Sequence, residues 1–323
     1  MEGPHVSPSI GQFKVTSGGT LTPLSTPTVA VSNTIVSIAA SPDGNYLYML
    51  EEGSTVGTFL RFSINNDGTL AANPVTSTGP SVAYPFTLSF DGRFAFVPFG
   101  NSVATYSINS SGQFNATSSV LAGNDACTAA IDPTGQFAYV GNFSDHTISA
   151  YRVAADGTLT PNGSISTAPN EAYLLRFSPD GFLYSAGCCQ LDGLTQYSID
   201  SSSGTLTGVN YFQGTAFNLP WGFAFNPTGT YTYTANANGG TYSISALSTN
   251  KTTGALTANG TDIPTTGAYQ IAVDPTGQFV FAFGGGTLWQ FKISGSGTLV
   301  PNGQISLAAG NNQTSGAIAF LQR

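Results

Sequence analysis

Two short turn signatures alternate along the chain, and their interval restricts the fold more than any other feature. The first, of the form DGTLTPNG at 156–163, occurs seven times, with its turn glycine at Gly19, Gly68, Gly112, Gly157, Gly204, Gly254 and Gly297. The second, of the form DPTGQFAY at 132–139, occurs six times, with its glycine at Gly44, Gly92, Gly135, Gly181, Gly229 and Gly277. Successive copies lie 43–50 residues apart in both series. A repeat of that length holding four short strands is the mark of a propeller blade, whereas the common helical repeats are shorter. In one unit CTAAI (127–131), QFAYVG (136–141), TISAYRV (147–153) and TLTPNGSIS (158–166) alternate apolar with small or polar residues, as pleated strands packed on their neighbours require. No window of similar length shows helical periodicity.

The unequal copy numbers predict how the ring closes. IGQFKV (10–15) and TLTPLSTPTV (20–29) read as the third and fourth strands of a blade that lacks its first. SGAIAFLQR (315–323) reads as an innermost strand that never reaches a turn, with a short second strand expected from residues 3–9. Joining the two ends leaves no free inner edge. The expected architecture is therefore all-β: a seven-bladed propeller of four-stranded antiparallel blades in one domain, 1–323. Six blades fall near 35–80, 81–123, 124–168, 169–215, 216–265 and 266–312, and the last combines 313–323 with 3–34.

Charged residues make up 7% of the chain, against about 25% in average soluble domains. Ser, Thr, Asn and Gly take their place. The net charge is −8 and the eight Lys and Arg are scattered singly, so no basic stripe exists to neutralise phosphates and nucleic acid is not an expected partner. No apolar run approaches the ~18 residues of a membrane span, and the first residues lack a basic and apolar signal region. No leader is expected in the chain as it stands, and its polar composition suits an extracellular, cell-surface or periplasmic setting. The three cysteines leave alternatives open: a vicinal Cys188–Cys189 bridge, a Cys127–Cys188 bridge, or buried reduced thiols. Neither a zinc pattern nor any cofactor motif is present, and no metal or cofactor is expected.

Aligning the innermost strands on their turns gives a column of small residues, Ala39, Thr87, Ala130, Ala224 and Ala272, broken once by Arg176. A guanidinium there must turn toward the central channel, because burying it unpaired costs several kcal/mol or more. The loops opposite the second turn signature should carry function over the channel mouth. They supply Glu51 and Glu52, Asp125, Asn142, Asp145 and His146, Glu171, Trp221, Asn236 and Tyr269. His146 beside Asp145 has the makings of an oriented general base, and equally of a solvated turn. Adjacent Glu51 and Glu52 point to opposite faces, so at most one faces the channel. Arg176 can hold a ligand carboxylate, or pair internally with Glu171, Glu52 or Asp125.

The repeats SPDGNYLYML and DPTGQFAYVGNFSDHTISAYRVAADGTLTP resemble those of the lactonase-like seven-bladed propellers with YVTN-type repeats, the group of bacterial 6-phosphogluconolactonase and the fungal carboxymuconate-lactonising enzyme. The resemblance covers essentially the whole chain and rests on turn and packing positions. It implies Gly-Pro-Arg-His-x-x-Phe before the first turn and Asn-Glu after the second strand. Glu52, in LYMLEE, matches the glutamate. The Arg-His pair is replaced in each repeat, by Val36 and Ser37, Tyr84 and Pro85, Cys127 and Thr128, Tyr173 and Leu174, Trp221 and Gly222, and Tyr269 and Gln270.

Three functions fit this pattern. The leading one is a binding module without ordinary lactonase activity, taking a small molecule or carbohydrate at the channel mouth through Asn142, Asp145, Glu171, Trp221, Asn236 and Tyr269. The second is a lactone hydrolase or lactonising isomerase using Glu52, Arg176 and His146. The third is a self-associating scaffold of a surface layer or filament.

Overall fold

The computed structural model describes residues 8–53, 56–80, 84–167, 171–187, 193–214, 218–307 and 318–321. Among them are only strands, turns and irregular segments, and no helix is long and apolar enough to cross a membrane. Six antiparallel sheets, termed blades one to six, span residues 35–78, 87–121, 126–166, 174–212, 220–265 and 270–306. Each pairs its strands in chain order from the innermost outward, and in blade five the fourth strand is split into Leu256–Ala258 and Ile263–Thr265. In blade three the four expected segments appear as Ala126–Ile131, Phe137–Asn142, Thr147–Val153 and Leu159–Ser166. The chain is an all-β propeller.

The turn signatures are explained by what lies beside their glycines. Gly157 has φ +82° and its Cα faces the Phe94 ring of the preceding blade, which a Cβ would meet at 2.5 Å. Gly204 stands in the same way on Phe137, Gly297 on Tyr231 and Gly19 on Phe279. Only glycine adopts this backbone without strain while letting an aromatic ring so close. In blades three, four and five a buried tyrosine two residues further along the second strand ties the turn of the next blade down. Tyr139, Tyr184 and Tyr233 donate their hydroxyls to the carbonyls of Gly204, Gly254 and Gly297 at 2.8, 2.5 and 3.0 Å. The recurring aromatic-x-aromatic of the second strand thus staples each blade to the next.

The N-terminal strands Ser9–Val15 and Leu21–Ala30 form a two-stranded sheet. Against blade six, Leu21 N donates to Gln290 Oε1 at 3.0 Å and Asn302 Nδ2 to Gly18 O at 2.8 Å. Against blade one, Leu70 N donates to Gln12 Oε1 at 2.7 Å. Ile318 and Phe320 pack with Phe279, Phe281 and Leu288 of blade six, while Ala319 and Leu321 pack with Leu47, Met49 and Phe62 of blade one. The expected seventh four-stranded sheet is not what the described residues form. Residues 318–321 carry no strand, and most of 3–9, the expected pairing partner, lies outside the described residues.

Candidate functional site: an aromatic arc on the bulged strands

In blades one, three, four, five and six the innermost strand opens on a β-bulge, where two of its residues face one on the second strand. The register slips at Val36 in blade one, at Cys127 in blade three and at Trp221 in blade five. In blades four and six the amides of Tyr173 and Tyr269 reach the carbonyls of Ala186 and Phe283, the partners of the following Leu174 and Gln270. A bulge re-aims the extra side chain. The backbone around it is strained: Asp125 and Leu219, two residues before Cys127 and Trp221, adopt φ +57° and +51°. Such conformations persist in non-glycine residues where the surroundings over-determine them, commonly at ligand sites.

The re-aimed side chains form a continuous run. Tyr173 and Trp221 stand edge to face with centroids 5.8 Å apart, Trp221 and Tyr269 at 5.4 Å, and Tyr269 and Tyr242 at 5.4 Å. Phe143 extends the run from Tyr173 at 6.2 Å. Tyr269 and Tyr242 share a hydrogen bond of 3.0 Å, which raises the Tyr269 pKa. At the other end, Tyr84 donates its hydroxyl to Asp125 Oδ1 at 2.7 Å, and Ser144 Oγ donates to Oδ2 at 3.3 Å. Burial first, then Asp125, pushes the Tyr84 phenol up. These phenols therefore stay protonated at neutral pH and act as donors.

The profile of the family described as "Lactonase, 7-bladed beta-propeller" matches residues 85–172 and 165–273, more than half of the chain. The chain belongs to this lactonase β-propeller family. No curated protein matches the sequence. Among solved structures, this lactonase-family propeller is similar to the Pseudomonas aeruginosa periplasmic gluconolactonase, with a TM-score of 0.76, 17% identity and coverage of 92% of each chain. It is also similar to a Bacteroides fragilis protein provisionally named a 6-phosphogluconolactonase, with a TM-score of 0.75, 18% identity and coverage of 90% of this chain and 88% of the other. A functionally unknown protein of Desulfotomaculum acetoxidans aligns with a TM-score of 0.70, 18% identity and coverage of 88% and 89%. At these identities the likeness speaks for the fold.

Several residues expected at the site of this lactonase-family propeller have structural duties instead. Asn142 is fully buried: it donates to Thr147 Oγ1 and Ser149 Oγ at 2.9 Å each, and accepts from Gly123 N at 3.0 Å. Asn236 is buried in the equivalent place and donates to Ser243 and Ser245. Glu51 takes that place in blade one and accepts from Ser32 N, Asn33 N and Asn33 Nδ2. Asn142 and Glu51 thereby hold loop amides, whereas Asn236 bonds along the third strand and leaves its buried Oδ1 without a hydrogen-bond partner. Asp145 does not orient His146, because it accepts from Asn124 N at 2.6 Å and Asn124 Nδ2 at 2.8 Å. Those bonds hold its pKa below the ordinary carboxylate value. His146 itself adopts φ +52° in the turn, and its imidazole bonds to no described residue. Glu171 is buried beside Gly187.

Cys127, weighed for a disulfide, is a buried free thiol whose Sγ donates to Ala172 O at 3.3 Å. Burial pushes its pKa up and keeps it from acting as a thiolate nucleophile. Cys188 and Cys189 lie outside the described residues. Glu52 is exposed on the rim of a cleft of about 360 Å³ with Pro8, Ser32, Asn33, Thr34 and Gly53. Arg176 stands on an innermost strand, exposed, with no ion pair or hydrogen bond to any described residue; the weighed pairing with Glu171, Glu52 or Asp125 is not formed. Glu52, His146 and Arg176 come from blades one, three and four, and no hydrogen bond or ion pair joins them. Trp221 and Tyr269 are the expected site residues that the fold brings together. Tyr84, Tyr173, Phe143 and Tyr242 were not expected as ligand contacts. An alignment of the repeats on the bulge position finds Tyr84 and Tyr173, while Phe143 and Tyr242 carry no repeat signal.

Proposed function

We propose that this propeller is a ligand-binding module that works outside the cytoplasm and takes a carbohydrate at its channel mouth. The observation that carries this reading is the run of Tyr173, Trp221 and Tyr269 on consecutive bulged strands. Sugar rings present an apolar face that stacks on aromatic rings, while phenol and indole donors satisfy the hydroxyls around the edge. The sparse charge and the periplasmic setting of the Pseudomonas relative support an extracytoplasmic role. On this reading the ring has seven angular positions, the seventh held by the N-terminal sheet and residues 318–321 between blades six and one. A glycan array followed by calorimetry tests it: hits should lose at least tenfold in affinity in Trp221→Ala. Absence of glycan binding would overturn it.

Family membership and the exposed Glu52 beside its cleft favour a second reading, hydrolysis or isomerisation of a lactone. In that chemistry Glu52 acts as general base and Arg176 steadies the developing anion. Turnover of any member of a sugar and aliphatic lactone panel, abolished by Glu52→Gln, would establish this reading over the first.

A further inference from the structure

Arg176 is set apart from the other described arginines. Arg61, Arg93 and Arg152 each lie over an aromatic ring, of Tyr46, Phe94 and Phe137, at 4.7–5.1 Å. Arg93 also pairs with Asp91, and Arg152 donates to the carbonyls of Ser202 and Ser203. Arg176 has no such support, and its column elsewhere holds Ala39, Thr87, Ala130, Ala224 and Ala272. Packing therefore gives no reason for a guanidinium at this place. Its side chain is exposed, yet surrounding protein is dense enough for desolvation to lower its pKa. A side chain on an innermost strand meets both conditions when it lines a narrow, wet channel. It lies three strand residues below Tyr173, a depth of about 10 Å.

We infer that the site takes an acidic ligand, with a ring stacked on Tyr173, Trp221 and Tyr269 and a carboxylate directed down the channel to Arg176. The inference rests on the ligand-binding reading above and narrows it to a carboxylate-bearing ring. A guanidinium is suited to this because its planar fork matches a carboxylate with two parallel hydrogen bonds. Two sources share that chemistry, the uronic acid end of a glycan and an aromatic carboxylic acid.

Calorimetric titration of the full chain separates them. The probes are a disaccharide ending in glucuronic acid, the matching neutral disaccharide ending in glucose, and benzoate, each against the parent chain, Arg176→Ala and Arg176→Lys. Arg176→Ala restores the residue most common in the column, and Arg176→Lys keeps the charge without the fork. The acidic disaccharide should bind at least tenfold more tightly than the neutral one. That advantage should vanish in Arg176→Ala, survive in part in Arg176→Lys and weaken with added salt. Equal affinity for the two disaccharides, or an acid preference that survives Arg176→Ala, overturns the inference and leaves the carbohydrate reading standing. Binding of benzoate alone, dependent on Arg176, upholds the acidic ligand and overturns the carbohydrate. Failure of all three probes to bind overturns both.

Discussion

At the scale of single residues, adjacent positions divide between side chains that hold loops and side chains left exposed. Glu51 and Glu52 follow one another, yet the first is buried on loop amides and the second is exposed. Alternation along a strand predicts that they part. Which one turns inward depends on where Ser32 and Asn33 present their amides, and that is a tertiary fact. Cys127 gives the sharpest residue-level prediction. With its Sγ donating to carbonyls and its pKa raised by burial, it should resist alkylation at pH 8 in the native protein and react on denaturation. Mass spectrometry of the peptide containing Cys127 reads the difference, and rapid native labelling would contradict the assignment.

At the scale of strands and turns, the repeated glycines carry the connection between blades. Gly157→Ala forces a left-handed backbone on alanine and drives its Cβ into Phe94, at an expected cost of about 2–4 kcal/mol. Gly135→Ala incurs the backbone cost alone, about 1 kcal/mol, because nothing lies within 4 Å of the added carbon. Urea denaturation should rank the two in that order. Tyr139→Phe, which leaves the Gly204 carbonyl without its donor, should cost about 1 kcal/mol in the same assay.

The buried tyrosines also set an alkaline limit. Burial raises Tyr48 from the ordinary 10.0 to about 12 and raises Tyr139, Tyr184 and Tyr233 in the same direction. A raised folded-state pKa gives stability that is complete below pH 10 and is lost as the pH climbs toward the folded values. The melting temperature should therefore fall between pH 10 and 12, in step with phenolate formation followed by ultraviolet titration. A melting temperature that stays flat across that interval would contradict the burial of these phenols. The turn signatures were legible in the sequence because the left-handed backbone leaves glycine as its mark. The bulges were not, because each sits at the start of its strand, where one extra residue leaves the alternation beyond it undisturbed.

At the scale of the whole molecule, residues 318–321 and the N-terminal sheet share apolar clusters with blades one and six. Phe320 packs beside Phe281 at 5.7 Å, so Phe320→Ala should lower stability by about 2 kcal/mol. An unchanged urea midpoint would contradict the packing of the terminal segment on blade six. The period and the order of strands follow from counting. The strand pairing of the chain's two end segments does not, since it depends on segments that meet only in the fold. The position of the aromatic arc was half legible, because the residues replacing the Arg-His pair were visible while their convergence required the bulges. The most direct test of the arc as the ligand site uses Trp289→Phe, which leaves Trp221 as the sole tryptophan. Titrating this variant with a glycan that binds by calorimetry should shift or quench its emission with the same dissociation constant. Calorimetric binding with no change in Trp221 emission would place the ligand elsewhere.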